Sequence, residues 1–86
     1  MPVISRFFGI AISMYYNDHV PPHFHIAYAQ HKAQMAIETL AIIEGELPRR
    51  AINLTMEWAA LHRDELRANW ELARNGQQIE KIEPLD

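Results

Sequence analysis

The 86-residue chain, with 49% apolar and 22% charged residues, has the composition of one small globular domain spanning 1–86 and leaves no room for two. It has no cysteine, which excludes disulfides and thiolate metal sites, and its first residues, MPVISRFFGI, lack the basic start and cleavage site of an export signal, so we expect a cytoplasmic protein. A formal net charge of −3 argues against a broad surface for polyanions, and no apolar run approaches the roughly 20 residues of a membrane span.

The first half of the chain has the period-two alternation of half-buried strands. Apolar side chains alternate with small or polar ones over residues 10–16 and again over residues 24–28. We expect an antiparallel sheet of three or four strands within 3–39, because the connections are too short for crossovers. Gly9 suits a bend or bulge after the first strand, and a hairpin is expected around 30–32. The predicted strands lie near 3–8, 10–16, 23–30 and 33–39.

From Pro48 onwards the apolar period becomes helical. Apolar side chains recur every three to five residues and form one stripe that includes Trp58 and Trp70. A straight helix over 48–74 would be about 40 Å long, longer than so small a domain is wide, so we predict a break near 62–64. The sequence therefore predicts an α+β fold in which this segment packs on the sheet with both tryptophans buried. The acidic tail, 77–86, is expected to be extended or frayed.

One segment, DHVPPHFH at 18–25, concentrates three histidines and a carboxylate. In a strand, His23 and His25 point to the same face, about 7 Å apart at the backbone, and the two stiff prolines limit where His19 can lie. Such a solvent-accessible cluster suits Zn, Ni or Fe better than Mg or Ca. The alternative is a polar sheet face that displays its histidines to solvent or to a partner. The candidate metal ligands are Asp18, His19, His23 and His25.

The same histidines also suit a catalyst that needs no metal. His23 and His25 would act as general base and general acid while an RNA 2′-hydroxyl attacks the adjacent phosphodiester. Arginine would stabilise the developing charge, and tyrosine would stack on a base. In the simpler alternative, the arginines are solvated and the tyrosines belong to the core. The candidate binding residues are Arg6, Tyr15, Tyr16, Arg49 and Arg50.

Five segments of the chain together resemble a known family. They are RFFGI at 6–10, MYYNDHVPPHFH at 14–25, ELPRRA at 46–51, EWAALHRDELRANWELARNG at 57–76 and IEPL at 82–85. These segments are similar to the bacterial family called Domain of Unknown Function 4160. The resemblance implies a small prokaryotic protein that is often encoded beside a second small protein. That arrangement looks like a two-gene regulatory or toxin–antitoxin module.

Two classes of function remain open. The first is an interaction module of such a two-protein system, whose sheet face or helix binds a partner. We expect a homo-oligomer or a complex with a small protein encoded nearby, because a small core and open sheet edges leave backbone groups and apolar surface unpaired. The second is an enzyme centred on His19, His23 and His25. It would be either a ribonuclease, with RNA as its partner, or a metal-dependent hydrolase that carries a transition metal such as Zn or Ni.

Overall fold

The structure is a computed structural model that describes residues 2–16 and 18–86. Five strands are followed by two helices. The strands are β1 (Val3–Phe7), β2 (Ile10–Ser13), β3 (His23–Tyr28), β4 (His31–Ala36) and β5 (Ile42–Gly45), and the helices are α1 (Arg49–Leu61) and α2 (Arg63–Arg74). Each strand pairs antiparallel with the next, in the order β1-β2-β3-β4-β5. The predicted α+β class and antiparallel sheet are confirmed.

The sheet has five strands where the sequence predicts three or four. The additional strand, β5, has only two successive apolar residues and no alternation, so a period-two pattern does not reveal it. It forms against β4, where Gly45 pairs with Ala33. Gly45 has a φ of +83°, and a Cβ there would lie 2.2 Å from the carbonyl oxygen of Lys32. The close approach of β5 to β4 therefore requires glycine at this position.

Two-residue turns close the β1–β2 and β3–β4 hairpins. Phe8 and Gly9 both have positive φ, which is the sign pattern of a type I′ turn and matches the twist of the flanking strands. The expected bend at Gly9 is thus a tight turn. The irregularity in strand register lies instead inside β1, between Val3 and Ser5. The second turn falls at 29–30 rather than around 30–32. Its position depends on a positive φ at Ala29, a residue type that gives no turn signal.

One face of the sheet forms the core. Buried side chains on this face include Phe7, Ile12, Phe24 and Ile26. Helix α1 packs against them through Trp58, whose ring centroid lies 5.3 Å from that of Phe7 and 6.0 Å from that of Phe24. Because strand side chains alternate between faces, the residues between these apolar positions lie on the opposite face of the sheet.

The break between the two helices lies at His62, within the predicted region 62–64. Its backbone N–H bonds to the carbonyl oxygens of Trp58 and Ala59 and ends α1. Pro48 is the residue before α1 rather than its first helical residue. The predicted burial of both tryptophans is confirmed, since Trp58 is 0% exposed and Trp70 is 2% exposed. Neither helix of the described chain combines the length and apolarity needed to cross a bilayer.

The C-terminal tail lies extended and attached to the domain. The Asn69 side chain donates a 2.8 Å hydrogen bond to the carbonyl oxygen of Glu80 and accepts a 3.0 Å bond from its N–H. The indole N–H of Trp58 donates a 2.8 Å bond to the carbonyl oxygen of Glu83. Between them, Ile82 is buried, and its N–H bonds to β1. Residues 79–83 are therefore held against the domain by hydrogen bonds and by a buried side chain.

Candidate metal centre

Strand β3 and the connection before it bring three polar side chains together. His23 and His25 project from one face of β3, opposite the buried Phe24 and Ile26. The connection from β2 returns across this face and places the carboxylate of Asp18 against both imidazoles. The alternation of β3 thus separates the ligand-type side chains from the apolar core.

A single carboxylate oxygen meets both imidazoles. Nε2 of His25 lies 2.8 Å from Oδ2 of Asp18, and Nε2 of His23 lies 3.1 Å from the same oxygen. The other oxygen, Oδ1, accepts a 2.9 Å hydrogen bond from the backbone N–H of His19. The ligand-type atoms of Asp18, His23 and His25 all lie within 4.8 Å of one another, and no other such group occurs among residues 2–16 and 18–86.

The ring of His23 is buried and its tautomer is fixed. Its Nδ1 lies 2.8 Å from the carbonyl oxygen of Pro21, which can only accept, so Nδ1 carries the hydrogen. Nε2 is buried and, despite its distance to Asp18, makes no contact with hydrogen-bond geometry. The sequence predicts solvent access for both histidines, yet His23 is 4% exposed whereas His25 is 24% exposed. The difference arises because Trp70 of α2 lies over His23, with ring centroids 5.4 Å apart.

The surroundings of Asp18 favour its ionised form. Burial raises the pKa of this carboxyl group. The hydrogen bonds from His25 and from the backbone N–H of His19 lower the pKa by more, and a positive charge on either imidazole lowers it further. The pKa of Asp18 is therefore below its ordinary value. An ionised carboxylate beside two imidazoles is a ligand set for a transition metal.

The remaining residues predicted for the site lie beside the cluster or away from it. His19 is exposed, and its imidazole is not part of the group of ligand atoms. Tyr15 adjoins the cluster, because its ring meets that of His25 edge-on with centroids 4.3 Å apart. Tyr16 is exposed in the same connection. The predicted arginines are all exposed: Arg6 in β1, and Arg49 and Arg50 at the start of α1.

A groove adjoins the cluster on the same face of the sheet. Its volume is about 360 Å³, and Tyr15 and His25 contribute to its wall. The other polar residues that line it are Ser13, Lys32, Gln34 and Glu44. No sequence pattern assigns these polar residues or Trp70 to the site. Strand register brings the polar residues to His25, and helix packing brings Trp70 to His23.

Comparison with known protein families matches residues 9–71 to "Domain of unknown function (DUF4160)". The match covers well over half of the chain and includes the segment from Asp18 to His25. The chain belongs to this family. No curated protein and no solved structure matches it. Since the DUF4160 description carries no activity, a function for this DUF4160 domain must follow from the chemistry of its own residues.

Proposed function

We propose that this DUF4160 domain binds a divalent transition metal ion through Asp18, His23 and His25. The proposal depends mainly on the position of the Nε2 atom of His23. It is buried without a hydrogen-bond partner and lies 3.1 Å from a carboxylate oxygen. In the neutral form of the ring, with its hydrogen on Nδ1, the lone pair of Nε2 faces another electron-rich atom. A cation bound by both atoms would replace this repulsion with attraction.

The surroundings of His23 are those of a metal ligand. Histidines that bind metals usually donate their second ring N–H to a carbonyl or carboxylate oxygen, which fixes the tautomer and the ring orientation. The carbonyl oxygen of Pro21 provides this contact. Trp70 packs on the ring and restricts its rotation. His23 is therefore held ready to bind without further rearrangement of its own side chain.

The distances within the cluster fit a small transition metal ion. When tetrahedral bonds to zinc are about 2.0–2.1 Å long, neighbouring ligand atoms lie about 3.3–3.4 Å apart. Oδ2 of Asp18 lies 2.8 Å from one imidazole nitrogen and 3.1 Å from the other. Oδ2 would therefore move away from each nitrogen by about a few tenths of an ångström, once the ion displaces the hydrogen that His25 shares with the carboxylate. All three ligand atoms already lie within 4.8 Å of one another, so closing the site needs only local side-chain movement.

Two imidazoles and one carboxylate favour Zn, Ni or Fe over Mg or Ca, which prefer oxygen ligands. Three protein ligands leave at least one coordination position for water or substrate, as catalytic rather than structural zinc sites do. The finer proposal is a metal-dependent hydrolase, in which the ion would lower the pKa of a bound water. The exposed parts of Asp18 and His25 would give that water access to solvent.

A ribonuclease without metal receives less support. Both Nε2 atoms point to Asp18, and His23 is buried. A general acid and a general base must instead reach the attacking and leaving oxygens of a substrate. RNA cleavage that requires His25 and is insensitive to chelator would favour this alternative.

Titration of metal-free protein with zinc, followed by calorimetry, tests the proposed metal site. We expect one ion per chain, and a loss of affinity of more than about tenfold in both Asp18→Asn and His25→Ala. The matched control is His19→Ala, which removes an exposed histidine from the same connection and should bind like the wild type. The proposal is wrong if the wild-type protein binds no zinc, or if the folded Asp18→Asn and His25→Ala variants bind it unchanged.

The second candidate is the interaction module of a two-gene regulatory or toxin–antitoxin-like system. The observation that favours it is the position of β5 at the end of the sheet, which leaves one edge without a partner among the described strands. Such an edge is where an added chain can pair through its backbone. Co-expression with the small protein encoded nearby, followed by purification of a complex of defined stoichiometry, tests this role.

A further inference from the structure

We infer that the groove beside His25 binds the anionic group, a carboxylate or a phosphate, of a small molecule. One oxygen of that group completes the coordination of the ion at Asp18, His23 and His25, and Lys32 binds another. This inference rests on the proposed metal site and names the ligand class that the site takes.

The open side of the metal centre faces the groove. His23 is closed off by Trp70, whereas His25 is partly exposed and belongs to the groove wall. An exogenous ligand therefore approaches the ion from the side of His25. A dication with one carboxylate and two neutral imidazoles retains a net charge of about +1, so an anion is its preferred fourth ligand.

Strand register places a second positive charge at the right distance. His25 pairs with Gln34 across β3 and β4, so Lys32 is its diagonal neighbour on the same face. Diagonal neighbours in an antiparallel pair lie about 7–8 Å apart. The lysine side chain can bend across that distance, which leaves room for one carboxylate or phosphate group between its ammonium and the ion.

The ammonium group of Lys32 is available to a ligand. Lys32 is exposed and lines the groove, and no ion pair involves its side chain within residues 2–16 and 18–86. The nearby carboxylate of Glu44 is engaged instead by Gln34, whose Nε2 donates a 2.8 Å hydrogen bond to it. The negative charge of Glu44 disfavours a second anionic group on that side, so the rest of the ligand is neutral or cationic there.

The size and wall of the groove set the scale of the ligand. Its volume, about 360 Å³, lies at the lower end of the range for small-molecule sites. Ala27 contributes only a methyl group to the wall, and the ring of Tyr15 offers an apolar surface at the side of His25. These dimensions suit a small metabolite.

Protein loaded with Co²⁺ tests the inference, because the visible spectrum of the ion changes when a ligand joins its coordination sphere. Inorganic phosphate and acetate serve as separate probes, and the larger response identifies the preferred anionic group. We expect a saturable spectral change with at least one probe. We also expect Lys32→Ala to weaken that binding about tenfold without altering the affinity for Co²⁺. The control Lys81→Ala, which removes an exposed cation from the tail, should match the wild type.

The outcomes separate the inference from the proposed metal site. Failure to bind Co²⁺ or Zn²⁺ would contradict the metal site itself. Binding of Co²⁺ with a spectrum that neither phosphate nor acetate changes would overturn only the inference. An anion response of equal affinity in Lys32→Ala and the wild type would likewise overturn it, because Lys32 would then not be the second anchor.

Discussion

His23 combines burial, a fixed tautomer and a carboxylate at contact distance. Each of these conditions is ordinary alone, but together they leave Nε2 of the neutral ring without a hydrogen to donate and without one to accept. A buried polar atom in this position costs free energy, on the order of 1–3 kcal/mol, unless a cation joins it. Metal binding would therefore satisfy one buried nitrogen atom that no hydrogen bond reaches.

Trp70 should report on the occupancy of the site. Its ring centroid lies 5.4 Å from that of His23, so a change in the charge at His23 alters the surroundings of the indole. We expect zinc to change the tryptophan emission of the wild-type protein and of Trp58→Phe, and to leave the emission of Trp70→Phe unchanged. Fluorescence during a zinc titration measures this. An equal response in Trp70→Phe would contradict the prediction.

At the scale of elements, the tail depends on α2. Asn69 binds both backbone groups of Glu80, so Asn69→Ala leaves two polar groups unpaired and should lower the free energy of unfolding by about 1–3 kcal/mol. Urea denaturation measures the loss, and hydrogen exchange at the Glu80 amide should accelerate. In the control Asn75→Ala, an exposed side chain loses one bond to Glu71, and both quantities should stay near the wild type. Equal effects in the two variants would refute this role of Asn69.

The link between α2 and the turn after β4 should weaken in acid. Arg67 donates hydrogen bonds of 2.8 Å and 2.6 Å to Glu38, and these lower the pKa of Glu38 although desolvation opposes the effect. Because the pKa of Glu38 is lowered in the folded protein, its ionised carboxylate stabilises the fold at pH values above the ordinary pKa of a glutamate. This contribution disappears as the pH falls through the lowered pKa.

The variant Glu38→Gln should accordingly be less stable than the wild type at neutral pH and should converge with it as the pH falls below the lowered pKa of Glu38. Both side chains are about half exposed, so the difference is small and decreases in high salt. Thermal unfolding across pH measures it. Glu57→Gln on the exposed face of α1 is the control, and the same convergence in that variant would contradict the assignment to Glu38.

At the scale of the whole molecule, the small core and the free edge of β5 predict self-association. Light scattering should return about twice the 10.0 kDa mass of one chain if β5 pairs with a second copy. Ile43→Lys places a charge on this edge strand and should shift the mass towards one chain. Met56→Lys, an equally exposed position on α1, should not. A single-chain mass for the wild-type protein would contradict the prediction.

The local periods of the sequence determined most of the architecture. Alternation around Ile12 and Phe24 predicts strands. The stripe through Trp58 and Trp70 predicts a helical segment that packs on the sheet, and the length limit predicts its break near 62–64. These signals are local, because the face of a strand or helix on which a side chain lies depends only on its spacing from residues nearby in the sequence. β5 escaped prediction because its two apolar residues are adjacent and show no alternation, and the strand forms by pairing with β4.

The sequence by itself also placed His23 and His25 on one strand face and Asp18 near them in the chain. Only the tertiary structure decided that Asp18 contacts both rings, that the imidazole of His19 stays outside, and that Trp70 closes over His23. The reason is the range of the interactions. The face on which a strand residue lies depends on backbone geometry within a few residues, whereas burial and contact depend on elements far apart in sequence that pack together when the sheet and α2 meet.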